Sequence, residues 1–192
     1  MTNNSNVEVI VSKMLNSLHS STDPHFRNAL VLKLNSLVER FAPNPQWYIE
    51  TMCLLFELGS EYLNEEILNN FLKLVMENCD EDPSFVGEII EKMKELLNKI
   101  VPTDFIIKIS AWVFGEMGSR LPDIEEVHKI TENILSMLEY DYENECTKVW
   151  VLDSLIKLSS VKNFNMHEQV KNTLNSFSKN FDIEICQRSL GI

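Results

Sequence analysis

Phe85-Val86-Gly87-Glu88-Ile89-Ile90-Glu91-Lys92-Met93-Lys94-Glu95-Leu96-Leu97-Asn98-Lys99-Ile100 is the stretch that decides the fold class. Its apolar residues (Phe85, Val86, Ile89, Ile90, Met93, Leu96, Leu97 and Ile100) recur at helical spacing, so a helix gathers them on one stripe. The charged residues then share the opposite side, where water solvates them. On a strand the same residues would scatter onto both faces, because side chains there alternate with a period of two. Working outward, Phe26, Ala29, Leu30, Leu34, Leu37, Val38 and Phe41 repeat the pattern and are expected to form the buried face of another helix. Strict alternation, the mark of a half-buried strand, is found nowhere over a useful length.

Helix starts are legible as well. Asp23-Pro24, Asn44-Pro45 and Asp82-Pro83 each set a side-chain acceptor before a proline. The acceptor caps free amide donors, and proline fits a first turn where no amide hydrogen is needed. Asn64 before Glu65-Glu66, Pro102-Thr103-Asp104, Pro122-Asp123 and Asn165 supply further starts. The pattern predicts about ten helices, over 6–20, 24–41, 45–59, 65–78, 83–100, 103–118, 123–139, 144–160, 166–180 and 183–191. Short connections make neighbours antiparallel, and two helices form a unit of ~35–40 residues, the size of HEAT and armadillo repeats. The expected fold is all-α: a right-handed α-solenoid of antiparallel helix pairs, HEAT/armadillo-like, running as a single segment over 1–192. Segments 47–58 and 105–114 are apolar nearly all round, so each is expected to be covered on several sides. The last helix begins only just before residue 192, which reads as a piece excised from a longer protein.

Composition narrows the function. The 192 residues carry 29 acidic and 17 basic side chains, a formal net charge of −12, which repels phosphate backbones and argues against nucleic-acid binding. Lys92, Lys94, Lys99 and Arg120 are interleaved with glutamates and read as solvated faces. Cys53, Cys79, Cys146 and Cys186 lie far apart without zinc-ligand spacing, as reduced thiols of a cytosolic protein would. The polar start, Met1 to Asn6, lacks the apolar core of a signal peptide, and 105–114 is too short to span a bilayer.

Nothing in the sequence advertises catalysis, a cofactor or a metal. His19, His25, His128 and His167 have no second histidine or cysteine one helical turn away. Glu139, Asp141, Glu143 and Glu145 alternate like a calcium loop, but the central glycine and terminal bidentate glutamate are missing. Gly115 and Gly118 have no following Lys-Ser or Lys-Thr to make a phosphate cradle, and their expected role is close helix packing. Glu65-Glu66 and Glu125-Glu126 are adjacent, so on a helix they point apart rather than converge on one reacting atom. Trp47, Trp112 and Trp150 are expected in the core, with an anchor for a partner chain as the other reading.

A family resemblance runs through the chain. Arg40-Phe41-Ala42-Pro43-Asn44-Pro45-Gln46-Trp47-Tyr48-Ile49 resembles the aromatic, Ala-Pro, polar, Trp and isoleucine-helix pattern of large adaptins from clathrin-associated adaptor complexes. Gly59-Ser60-Glu61-Tyr62-Leu63 looks like their glycine-aspartate-tyrosine-valine turn, with Ser60-Glu61 in place of the usual pair. Trp112, Gly115, Glu116 and Gly118 are spaced as in their Trp-x-x-Gly-Glu-x-Gly helix, and Ile183 to Arg188, with Gln187 and Arg188, resembles a later element. Asn6-Val7-Glu8-Val9-Ile10-Val11 together with Gln46 to Met52 looks most like epsilon subunits of the fourth adaptor complex, with gamma and alpha subunits as close alternatives. The stretch 79–102 departs from all of them.

The resemblance implies a middle-to-rear part of an adaptin trunk: a non-enzymatic scaffold in vesicle-mediated protein transport and cargo sorting. It also implies a second large adaptin, a medium and a small subunit as partners, and an Arf-type GTPase. The place would be cytoplasmic, peripheral on trans-Golgi network or endosomal membranes, with membrane contact mainly through other parts of the complex. The other reading is a stand-alone HEAT-like peptide or protein receptor, of the transport-receptor or phosphatase-scaffold type.

Overall fold

Four caps set the register of the helices. Asp23 Oδ1 accepts from the His25 amide at 2.9 Å, Asn44 Oδ1 from Trp47 at 2.8 Å, Asn64 Oδ1 from Ile67 at 3.0 Å and Asp123 Oδ1 from Glu125 at 2.9 Å. Each satisfies an amide that the first helical turn leaves without a backbone partner. The computed structural model describes residues 6–161 and 167–178. Among these it has α1 (Val7–Ser20), α2 (Pro24–Phe41), α3 (Pro45–Gly59), a 3-10 turn (Ser60–Tyr62), α4 (Glu65–Glu81), α5 (Phe85–Lys99), α6 (Asp104–Gly118), α7 (Ile124–Met137), α8 (Cys146–Ser159) and α9 (His167–Ser178), with no strand. The all-α expectation is borne out. The predicted helix at 183–191 lies outside the described residues, as do the Asn165 start and Cys186.

Boundaries shift where caps and tight turns compete. Asp82 does accept from the Ser84 amide (3.0 Å) and hydroxyl (2.7 Å), but the next bonds, Phe85 N to Asp82 O and Val86 N to Pro83 O, span three residues. Regular α-helix therefore begins at Phe85 rather than at 83. At the far end of α7 the amides of Leu138, Glu139 and Tyr140 also reach back three residues, which stops the helix at Met137.

The chain divides into two compact units, 1–106 and 107–192, the division falling in the first turn of α6. In the first unit α1, α3 and α5 lie side by side, α3 touching both, with α2 packed against α1 and α3. Asn70 on α4 donates to Glu39 on α2 at 3.1 Å, so α2 and α4 also adjoin. Alternate helices thus stack in register, as a helix-pair repeat requires. The core is aromatic: the Phe56 ring meets Phe71 edge-on at 4.9 Å and Phe105 at 5.5 Å, and Tyr48 stacks on Phe71 at 6.2 Å. Such pairs add about 0.5–1.5 kcal/mol each beyond burial. α3, apolar nearly all round, has α1, α2 and α5 as neighbours, as expected.

The face expected for α2 holds at Leu34 and Val38 and is corrected elsewhere. Val31, Leu34, Asn35 and Val38 are buried, whereas Phe26 is 48% exposed and Ala29 is exposed. Apolar residues surround more than half of this helix, so spacing alone leaves its rotation open. Arg27 settles it. Its Nη1 donates to the Leu18 carbonyl at 2.7 Å and the Ser21 carbonyl at 3.1 Å, and Nη2 donates to Leu58 O. One guanidinium therefore ties the C-terminal ends of α1 and α3, whose last carbonyls lack helical partners. Glu61 lies 3.7 Å from Arg27 Nε, and the Tyr62 ring centroid 5.8 Å from its carbon, so the adaptin-like turn is part of the same cluster.

In the second unit α6, α7 and α8 pack around Phe114, Met117, Ile130, Ile134, Val151, Leu155 and Leu158, all buried, with α9 against α8.

Candidate interaction surface

Two neighbouring grooves mark the first unit. Between α1 and α3 runs one of about 360 Å³, with Val11, Leu15, Trp47, Thr51, Leu54 and Leu58 along its walls. Glu8 and Glu50 stand near the N-terminal ends of the two helices, and His19 at the other end of α1. Between α3 and α5 runs a second, of about 230 Å³, around Cys53, with Glu57, Lys92, Glu95 and Lys99. Glu50 and Leu54 belong to both, so they form the ridge between them. Leu54 is 45% exposed, which a lone surface leucine tolerates but which also suits an anchor. The second groove is neutralised from within: Lys99 lies 3.7 Å from Glu57 and Lys92 3.5 Å from Glu95.

Cys53 has the position of a nucleophile without the chemistry. Burial pushes its thiol up to about 12, with Lys92 beside it pulling the other way. It stays protonated at neutral pH, and the thiolate is the reactive form. Cys53, Cys79 and Cys146 are all in the reduced form. Among the described residues no group of three or more histidines, cysteines or carboxylates is placed to hold a metal. Within 139–145 the Tyr142 hydroxyl donates to the Met137 carbonyl and Glu145 pairs with Lys148 at 2.9 Å, so these side chains close a loop and start α8. No described helix is long and apolar enough to cross a membrane.

The second unit holds the Trp-x-x-Gly-Glu-x-Gly residues. A Cβ on Gly115 would lie 2.7 Å from the Ser154 Cα, so α6 and α8 approach here to backbone contact. Ser154 Oγ donates to the Ala111 carbonyl at 2.6 Å across that contact. Gly118 is close to Leu158 and Ile130 side chains, the nearest atom 3.1 Å from its would-be Cβ. The packing role expected of both glycines is what their surroundings fit. Glu116 pairs with Lys157, whose ammonium also sits 6.0 Å from the Trp112 ring centroid. Burial holds the Asp153 carboxyl above its usual range, with Lys157 working against the rise.

The other family-like positions run from the end of α2 across the connection into the first turns of α3. Phe41 and Ala42 are half-buried, Pro43 is exposed, and Ile49 is buried. Gln187 and Arg188 lie outside the described residues. Trp47, Trp112 and Trp150 are all half-buried, so the core expectation for them is corrected: each keeps one side toward water. Their indole edges suit that position, being apolar with one polar handle. The reading from spacing missed Arg27, Leu54 and Ser154, since none breaks the helical pattern or belongs to a motif.

Comparison with known families matches the one described as "Adaptin N terminal region" over residues 1–192. The chain belongs to this adaptin family. Among curated relatives, the adaptin chain is 32% identical over 165 residues to AP-4 complex subunit epsilon-1 of Mus musculus, which covers 83% of the chain and 14% of the mouse protein. It is 28% identical over 200 residues to AP-1 complex subunit gamma-1 of Mycosarcoma maydis, covering 98% of the chain and 22% of that relative. It is 31% identical over 117 residues to AP-2 complex subunit alpha-1 of Arabidopsis thaliana, covering 61% of the chain and 11% of that relative. The motif resemblance to large adaptins, epsilon subunits first and gamma and alpha after them, is borne out. The adaptin chain spans a small part of the length of each of these relatives.

Proposed function

We propose that this chain is a trunk segment of a large adaptor-complex subunit, from the middle or rear of that trunk, acting as a non-enzymatic scaffold in vesicle-mediated protein transport and cargo sorting. The family match over the whole chain carries this reading. Stacked helix pairs support it, because such repeats hold partner faces at fixed spacing over a large surface. The partners are a second large adaptin, a medium subunit and a small subunit, with recruitment through an Arf-type GTPase. The place of action is the cytoplasmic face of trans-Golgi network or endosomal membranes, reached as a peripheral coat component. Phe41, Ala42, Trp47, Ile49, Trp112, Gly115, Glu116 and Gly118 serve the trunk by packing and Pro43 by stopping α2 just past its cap, with Gln187 and Arg188 as candidates for packing.

The test is co-expression of the full-length protein with small adaptin subunits of the fourth and first adaptor complexes, followed by size-exclusion chromatography. Co-elution with the fourth-complex subunit in preference to the first is expected. Co-elution with neither, alongside capture of extended peptides by the chain alone, would move the assignment to a stand-alone HEAT-like receptor.

A further inference from the structure

The two grooves on the α1, α3 and α5 layer differ in one respect that the family match does not address. In the α3/α5 groove the carboxylates of Glu57 and Glu95 are answered by Lys99 and Lys92. In the α1/α3 groove Glu8 and Glu50 are exposed, and among the described residues neither has an ion pair and no lysine or arginine lines the walls, although Glu50, on the ridge, also borders the groove that holds Lys92 and Lys99. Between the acids and His19 the walls are mostly apolar, with Val11, Leu15, Trp47, Leu54 and Leu58 beside the uncharged polar residues Ser12, Asn16 and Thr51. A mostly apolar trough whose charged lining residues are acidic has a definite complement.

The geometry points to a docking site in the α1/α3 groove for an amphipathic partner helix whose apolar stripe is flanked by lysine or arginine. About 360 Å³ is at the low end of the ~300–1,000 Å³ typical of ligand pockets, so it takes a few anchoring side chains and leaves the rest of the helix on the rim. Leucine-type anchors enter between Leu15 and Leu54, and Trp47 closes one wall. The basic residues meet Glu8 and Glu50, which speeds encounter and fixes the direction of docking. The same rim rejects phosphate-bearing ligands. A second copy of this chain, itself at −12, brings acid to acid.

The test titrates the 192-residue chain into a fluorescein-labelled Leu/Lys amphipathic peptide, with the matching Leu/Glu peptide as control, and reads anisotropy. Saturable binding of the Leu/Lys peptide is expected, at least tenfold tighter than the Leu/Glu peptide. Leu54→Asp is expected to weaken it at least tenfold. The pair Glu8→Gln and Glu50→Gln should weaken it severalfold, while Glu125→Gln and Glu132→Gln on α7, the same change in charge, leave it unaltered. Because Leu54, Glu8 and Glu50 are exposed, these variants should fold, and circular dichroism melting confirms that each has. Equal losses from the α7 pair, undiminished binding by Leu54→Asp, or equal affinity for both peptides would each overturn the proposal. So would a chain dimer in sedimentation that Leu54→Asp dissociates, which assigns the groove to a second copy.

Discussion

Arg27 does at one position what several caps do elsewhere. Its three carbonyl partners and the Glu61 carboxylate converge on one planar group, and hydrogen bonds to a charged group contribute about 1.5–3 kcal/mol. Arg27→Ala is expected to lower unfolding free energy by about 2–3 kcal/mol in urea titrations, and Arg27→Lys to recover less than half, since an ammonium lacks the fork. Gly115 gives the opposite kind of dependence. Gly115→Ala drives a methyl into the Ser154 backbone and should cost about 1–3 kcal/mol by overpacking. Gly87, on the exposed side of α5 with open space around it, is the contrast: Gly87→Ala should add about 0.5–1 kcal/mol. An equal response of the two glycines in thermal melts would refute the close-approach account. Cys53 and Tyr48 set an alkaline limit. Burial raises both, Cys53 to about 12 and Tyr48 above its ordinary value, so the unfolded chain gives up these protons first. Stability from the two groups is complete below about pH 9, the thiol's unperturbed value, and is lost as pH climbs through the folded values. Cys53→Ala should shallow that decline between pH 9 and 12, measured by urea midpoints at each pH.

At the scale of elements, the starts of α2, α3, α4 and α7 rest on a single capping oxygen each. Asn44→Ala is expected to cost about 1 kcal/mol, and the loss should appear as faster amide exchange in the first turn of α3. Nearly every helix was legible in the sequence because capping is local: an acceptor, a proline and a stripe lie within a few residues of one another. What could not be read was rotation about a helix axis. α2 carries apolar residues on most of its surface, and the choice of Val31 over Phe26 for the core depends on Arg27 reaching carbonyls on α1 and α3. The half-exposure of the tryptophans escaped for the same reason: an aromatic at helical spacing looks alike whether a neighbour covers all or half of it. The Ala-Pro and Gly-Glu-x-Gly motifs were visible, yet the grooves between α1, α3 and α5 were not, because their walls come from residues about forty positions apart brought together by stacking.

Over the whole molecule, helix-pair repeats draw their stability from neighbours rather than from one central core. Damage should therefore stay near its origin. Hydrogen exchange is expected to rise first in α1, α2 and α3 after Arg27→Ala, and in α6, α7 and α8 after Gly115→Ala. A uniform rise along the chain in both variants would show a single cooperative body instead. The contact beneath Gly115 also limits how its unit can move. Ser154 is held to the Ala111 carbonyl, and Gly115 puts no side chain of its own between α6 and the Ser154 backbone. Sliding α8 along α6 would tear that bond and ram a Cα into its neighbour, whereas turning one rod over the other disturbs neither. The crossing point is expected to act as a pivot, so that flexing of these helices swings their tips while the spot where they touch stays still.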